Sequence, residues 1–147
     1  MLDDSESYTA VMIGNPELLR FDPAALLGDR ATPQMVEELT ERFEENALAE
    51  WSVAGLGEGF VTGDPDDSEL VIVLWHADDD AAEQNEDALA GVLDDGISAV
   101  TAELWSDICA DADVARDGAL VTASCTPRSP GLAVNIVLTR DVLLAWE

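Results

Sequence analysis

The segment Glu69–His76, ELVIVLWH, constrains the fold more than any other stretch of the chain. Its apolar run, Leu70 to Trp75, is far shorter than the roughly 20 residues a transmembrane helix takes. It is rich in Val and Ile, which suit a pleated strand. A nearly continuous apolar strand has to be covered on at least one face, so it belongs in the middle of a sheet. The turn chemistry of Asp64–Ser68, DPDDS, precedes it. A short strand, Gly59–Gly63, precedes that turn, so the two strands form a hairpin. The glycine-rich stretch Gly55–Gly59 reads as a loop.

Other elements arrange themselves around this hairpin. Tyr8–Gly14 reads as a first strand. Three helix starts follow, each a capping residue before proline: Asn15-Pro16, Asp22-Pro23 and Thr32-Pro33. The third opens an amphipathic helix with Val36, Leu39, Phe43, Ala47 and Trp51 on one stripe. After the central strand, Asp78–Asp95 reads as a helix with acids crowding its first turn, where they complement the macrodipole. Ile97, Val100, Leu104 and Ile108 recur at helical spacing and predict a further helix. Cys109–Cys125 reads as a hairpin around Arg116-Asp117-Gly118, a three-residue loop with glycine last. Pro130–Thr139 and Val142–Trp146 read as a final helix and strand.

This order is βαββαβ, the ferredoxin-like split plan, with an added C-terminal β-hairpin strand and a helix/strand unit. The expected fold class is α+β: an antiparallel sheet with helices on one face. Residues 1–7 form an acidic, flexible N-terminus and 8–147 a single domain. That length suffices for a real core, and an apolar fraction of 48% supplies the material.

Charge narrows the partners. The chain has 32 acidic and six basic residues, for a net charge of −26. The basic residues are all arginine, and lysine is absent. Such a surface repels phosphate backbones and anionic membranes, which argues against nucleic-acid binding and membrane insertion. It suits a protein kept soluble at high salt, where screening removes self-repulsion. No signal-peptide pattern opens the chain, which favours the cytoplasm. A disulfide would instead point to an oxidising compartment.

His76 is the only histidine. If the first and third strands are adjacent and parallel, Asn15 lies near the end of the central strand. His76, Asp78, Asp80 and Asn15 then become candidate ligands for a divalent metal. The competing expectation is a helix cap at Asp78 or Asp79 beside a solvated histidine. With 18 aspartates in the chain, a triplet discriminates little. The turn at Asp64 lacks the glycine and glutamate of a calcium-binding EF-hand loop. Gly55–Gly59 lacks the strand–loop–helix setting and the Lys-Ser/Thr of a phosphate loop. No nucleophile motif occurs, and Schiff-base chemistry has no lysine to use.

The two cysteines carry a sharper expectation. In the register set by a three-residue loop, Cys109 and Cys125 stand directly opposite each other and are candidates for a cross-strand disulfide. The tryptophans Trp51, Trp75, Trp105 and Trp146 are expected in the core or at an interface. No motif assigns a reaction. The expected role is a non-enzymatic domain that binds a protein partner or itself through a sheet face or edge, with no cofactor. The alternative is a small metal-dependent enzyme or sensor built on His76 and nearby carboxylates.

Overall fold

The computed structural model describes residues 7–19, 24, 27–45, 48, 50–60, 68–98, 101–129, 132 and 135–137. The elements are β1 (Ser7–Gly14), α1 (Pro16–Leu19), a 3-10 turn (Gly28–Arg30), α2 (Pro33–Glu45), β2 (Val53–Phe60), β3 (Ser68–Trp75), α3 (Asp79–Asp95), α4 (Trp105–Ile108), β4 (Cys109–Asp117) and β5 (Leu120–Pro127). The fold is α+β. Among the described residues, one five-stranded sheet is antiparallel throughout, in the order β1-β2-β3-β5-β4.

The local signals account for most of these boundaries. Pro16 and Pro33 occupy first helical positions, where a missing N–H costs nothing. The Thr32 hydroxyl accepts a hydrogen bond from the Met35 amide at 3.2 Å, and Asp78 does the same for the Ala81 amide at 2.9 Å. Both helices therefore start where a side chain satisfies a first-turn donor. Gly96 follows the last residue of α3 and donates its N–H to Val92.

The strand order departs from the ferredoxin-like plan. There, a helical crossover would carry the chain to the far end of the sheet, making the second strand parallel to the first, with the third strand between them and antiparallel to both. Here β1 ends at Gly14 and β2 begins at Val53, beside Ala54, the partner of Gly14. The intervening helical segments return the chain to the end it left, so β2 runs antiparallel beside β1 and separates it from β3. In the second half, β5 rather than β4 takes the place next to β3.

Gly55–Gly59, expected as a loop, lies within β2 and pairs on both sides, with β1 and β3. Glycine weakens a strand interior, but two ladders and a buried row override that preference. Ala54 and Leu56 are fully buried in the core, and the glycines alternate with them on the opposite face. The predicted helix over Ile97–Ile108 is also largely absent. An isolated bridge joins Ile97 to Leu104, Ala102 takes a positive φ, and only Trp105–Ile108 is helical. Ile97 and Leu104 are exposed, so the periodic apolar residues make no continuous buried stripe.

The β4–β5 turn has two residues, Gly118 and Ala119, between the paired Asp117 and Leu120. Gly118 has φ +60, the conformation a type II′ turn demands at its first central position. The expected three-residue loop would have set a different register. Of the C-terminal expectations, Leu132 and Asn135–Val137 are helical; the strand at 142–146 lies outside the described residues.

The core fills one face of the sheet. Leu70, Ile72 and Leu74 of β3, Val121 and Ala123 of β5, and Ala54 and Leu56 of β2 meet Leu89, Val92 and Leu93 of α3. Trp51, Trp105 and Ile108 belong to the same cluster. The contacts are apolar and close-packed, and that burial is the dominant stabilising term. Among the described residues, no helix is long and apolar enough to cross a membrane.

Candidate functional site

Strand β3 alternates in burial along its length, with Leu70, Ile72 and Leu74 inward. A sheet covered on one face is expected to put polar residues on the other. Instead Val71, Val73 and Trp75 point to the open face. Register places Val53 beside Trp75, which pairs with Leu120, and it sets Ile13, Gly55 and Val73 in one row. The next row holds Val11, Gly57 and Val71. Val11, Ile13, Val53 and Trp75 are exposed, Trp75 at 54%.

The glycines of β2 shape this surface. A Cβ added at Gly55 would meet Ile13 Cγ1 at 3.8 Å and Val73 Cβ at 3.9 Å. The missing side chain therefore leaves a trough about one side chain wide, walled by Ile13 and Val73. Toward β4 the same face turns acidic, with Asp113 beside Ser124 and Asp117 beside Leu120. Asp113 and Asp117 are both exposed.

His76 lies on the covered side, and only 1% of it is exposed. The expected solvated histidine is thus a buried one. Its Nδ1 is 3.1 Å from the Ala119 carbonyl oxygen, and its Nε2 is 2.7 Å from Asn85 Nδ2. A carbonyl only accepts, so Nδ1 carries the proton and Nε2 accepts from the Asn85 amide. The His76 N–H donates to the same Ala119 carbonyl at 2.9 Å. This junction ties the β4–β5 turn to α3, with both ring nitrogens engaged.

The four metal candidates are not brought together. Asp78 caps α3, and Asp80 is exposed in its first turn. Asn15 follows β1, two strand spacings from the end of β3, or about 10 Å. Among the described residues, no group of three or more His, Cys, Asp or Glu side chains is placed to hold a metal ion.

Cys109 and Cys125 are joined, with S–S 2.03 Å and Cα atoms 5.5 Å apart. The register behind this link differs from the expected one. Cys109 pairs with Pro127 and stands diagonal to Cys125, and a bulge interrupts the ladder between Ala110 and Asp113. A regular diagonal is about 7–8 Å, so the irregularity at Asp111, φ +53, accompanies a closer approach.

Two further features escaped the sequence reading. Glu58 is 1% exposed, and its carboxylate accepts from the Ser68 hydroxyl at 2.8 Å across the β2–β3 ladder. Its place inside GLGEG, read as a loop, hid it. A groove of about 500 Å³ lies between α3 and the β4 bulge, lined by Leu93, Asp94, Ser106 and Asp111 among others. On the surface, Arg128 makes a forked pair with Glu103 at 3.0 and 2.9 Å, and Arg116 bonds Glu86 at 2.9 Å. The Arg128 hydrogen bond holds the Glu103 carboxyl below its usual range.

No family model, curated protein or solved structure matches this chain.

Proposed function

We propose that the chain is a non-enzymatic binding domain that docks a protein partner on the open apolar end of its sheet. The observation that carries this reading is the row of apolar side chains where polar ones are expected. Val11, Ile13, Val53 and Trp75 are exposed on one face of a chain with 32 acidic residues. Exposed apolar patches rimmed by polar residues mark interaction surfaces, and a large aromatic beside a trough is a common anchor.

Charge selects the partner. A second copy would bring another net charge of −26 to the contact. A different protein, with apolar side chains ringed by Lys and Arg, would meet the acids at Asp113 and Asp117 with favourable charge. The engaged nitrogens of His76 supply no support for a metal-dependent reaction.

Photo-crosslinking tests the reading. A benzophenone amino acid is placed at Trp75 and, as control, at Glu37 on exposed α2, in cells that produce the protein. The expected result is a defined adduct to a basic protein from position 75 only, lost when Ile13→Asp is added. Adducts from neither position, or equally from both, overturn it. Light scattering at low and high salt covers the remaining occupant: a dimer abolished by Trp75→Asp assigns the face to a second copy and overturns the heterotypic reading.

A further inference from the structure

The two edges of the sheet are built differently. The β4 edge is interrupted: its register shifts between Ala110 and Asp113, Asp111 takes φ +53, and Asp111, Asp113 and Asp117 are exposed along it. Bulges and charges are the usual devices that stop an edge strand from pairing with another chain. The β1 edge has few of them. Its sequence, SYTAVMIG, contains no charged residue and no proline. A bulge lies between Tyr8 and Ala10, but Ala10 through Gly14 runs in unbroken register against Glu58 through Ala54. Among the described residues, no strand pairs with its outer side. Among the described residues, an open, regular and apolar edge therefore borders the patch formed by Val11, Ile13 and Val73.

We propose that β1 is a strand-addition site. An extended segment of the partner protein pairs with the outer edge of Ala10–Gly14 and becomes a sixth strand. This deepens the docking reading above and rests on it. Main-chain hydrogen bonds supply affinity in such augmentation, and alternate side chains supply specificity. Alternation then dictates the chemistry of the segment. One set of side chains, on the open face, continues the apolar surface of Val11 and Ile13. The charge of the segment follows from its surroundings. The chain carries a net charge of −26, so the alternate set of side chains on the incoming strand carries Lys or Arg. Self-pairing would bring two chains of net charge −26 together, which is why the occupant is a basic strand of another protein.

The probe is a nine-residue peptide of alternating valine and lysine, acetylated and amidated. Its control has the same side chains and charge but is N-methylated at every interior residue, so it cannot join a ladder. Binding is followed by calorimetry at about 0.15 M salt, and amide exchange is mapped on the intact protein. The expected result is that the unmethylated peptide binds about tenfold or more tightly than the control. It also slows exchange of alternate amides in Ala10–Gly14 and leaves Asp113–Asp117 of β4 unchanged. Equal binding of both peptides, lost in Trp75→Asp, overturns strand addition and leaves face docking standing. Binding of neither peptide, with the Trp75 photo-adduct still formed, does the same. Binding of neither together with no adduct overturns both. Protection of β1 amides in the protein alone, appearing with a dimer at high salt, assigns the edge to a second copy and overturns the proposal.

Discussion

At the scale of single residues, the His76–Asn85 contact is the clearest case of a buried polar pair that must stay matched. Both side chains are almost fully buried, and the imidazole bridges Asn85 Nδ2 and the Ala119 carbonyl. Removing one partner leaves the atom that faced it buried and without that bond, at about 1–3 kcal/mol. His76→Ala and Asn85→Ala should each lower chemical-denaturation stability by that order. The double variant should lose less than the sum; strict additivity would show that the two side chains act independently. Sequence could name His76 as unusual but not its partner, because Asn85 is nine residues away and helix packing alone turns it toward the ring. Glu103 illustrates a surface effect with a sign. Its folded pKa is lowered, first by the hydrogen bond from Arg128. The pair thus contributes stability above the usual carboxylate range and loses it as pH falls through the lowered pKa. An NMR titration should find the Glu103 carboxyl below the other surface glutamates, and Arg128→Gln should return it upward. An unchanged midpoint in that variant would discount the pair.

At the scale of elements, capping and turn chemistry were legible and pairing partners were not. Pro16, Pro33, Asp78 and Gly96 mark their helix ends as local rules require. Strand β2 hides in the sequence because its outward positions are Gly55, Gly57 and Gly59, which carry no alternation to read. The steric room at Gly55 makes a test of this placement. Gly55→Ala would add only ordinary contacts with Ile13 and Val73, so it should raise stability by about 0.4–1 kcal/mol through the unfolded chain's lost freedom. A fall on thermal denaturation would contradict the strand assignment. The Cys109–Cys125 link spans a sequence separation of 16. In the chain-entropy model, closing such a loop contributes roughly 3 kcal/mol. Reduction of the native protein, or Cys109→Ala with Cys125→Ala, should lower the free energy of unfolding by an amount of that order and the thermal midpoint with it. An unchanged midpoint after alkylation-verified reduction would mean that the hairpin holds without it. The pairing of these cysteines was anticipated from a turn register that the structure does not have. A two-residue turn and the β4 bulge together bring them close.

At the scale of the whole molecule, the net charge of −26 is the property that conditions matter for most. Among the described residues, Arg116 and Arg128 already form ion pairs, so most carboxylates repel without compensation. At 0.1 M salt the Debye length is about 10 Å, and at 1 M about 3 Å. Raising NaCl across that range should raise the thermal midpoint, and potassium chloride should act alike if screening is the cause. A midpoint independent of salt would show that the carboxylates are too dispersed to destabilise the compact state. Composition, helix caps, the central strand and the α+β class were determined by the sequence, because each rests on local sterics or on the sum of side-chain properties. Tertiary structure alone decided that β2 separates β1 from β3, that His76 is buried against Asn85, and that apolar residues of three strands converge on the open face. Those outcomes depend on which end of the sheet a connection returns to, and long-range pairing energy settles that choice where no local residue pattern records it.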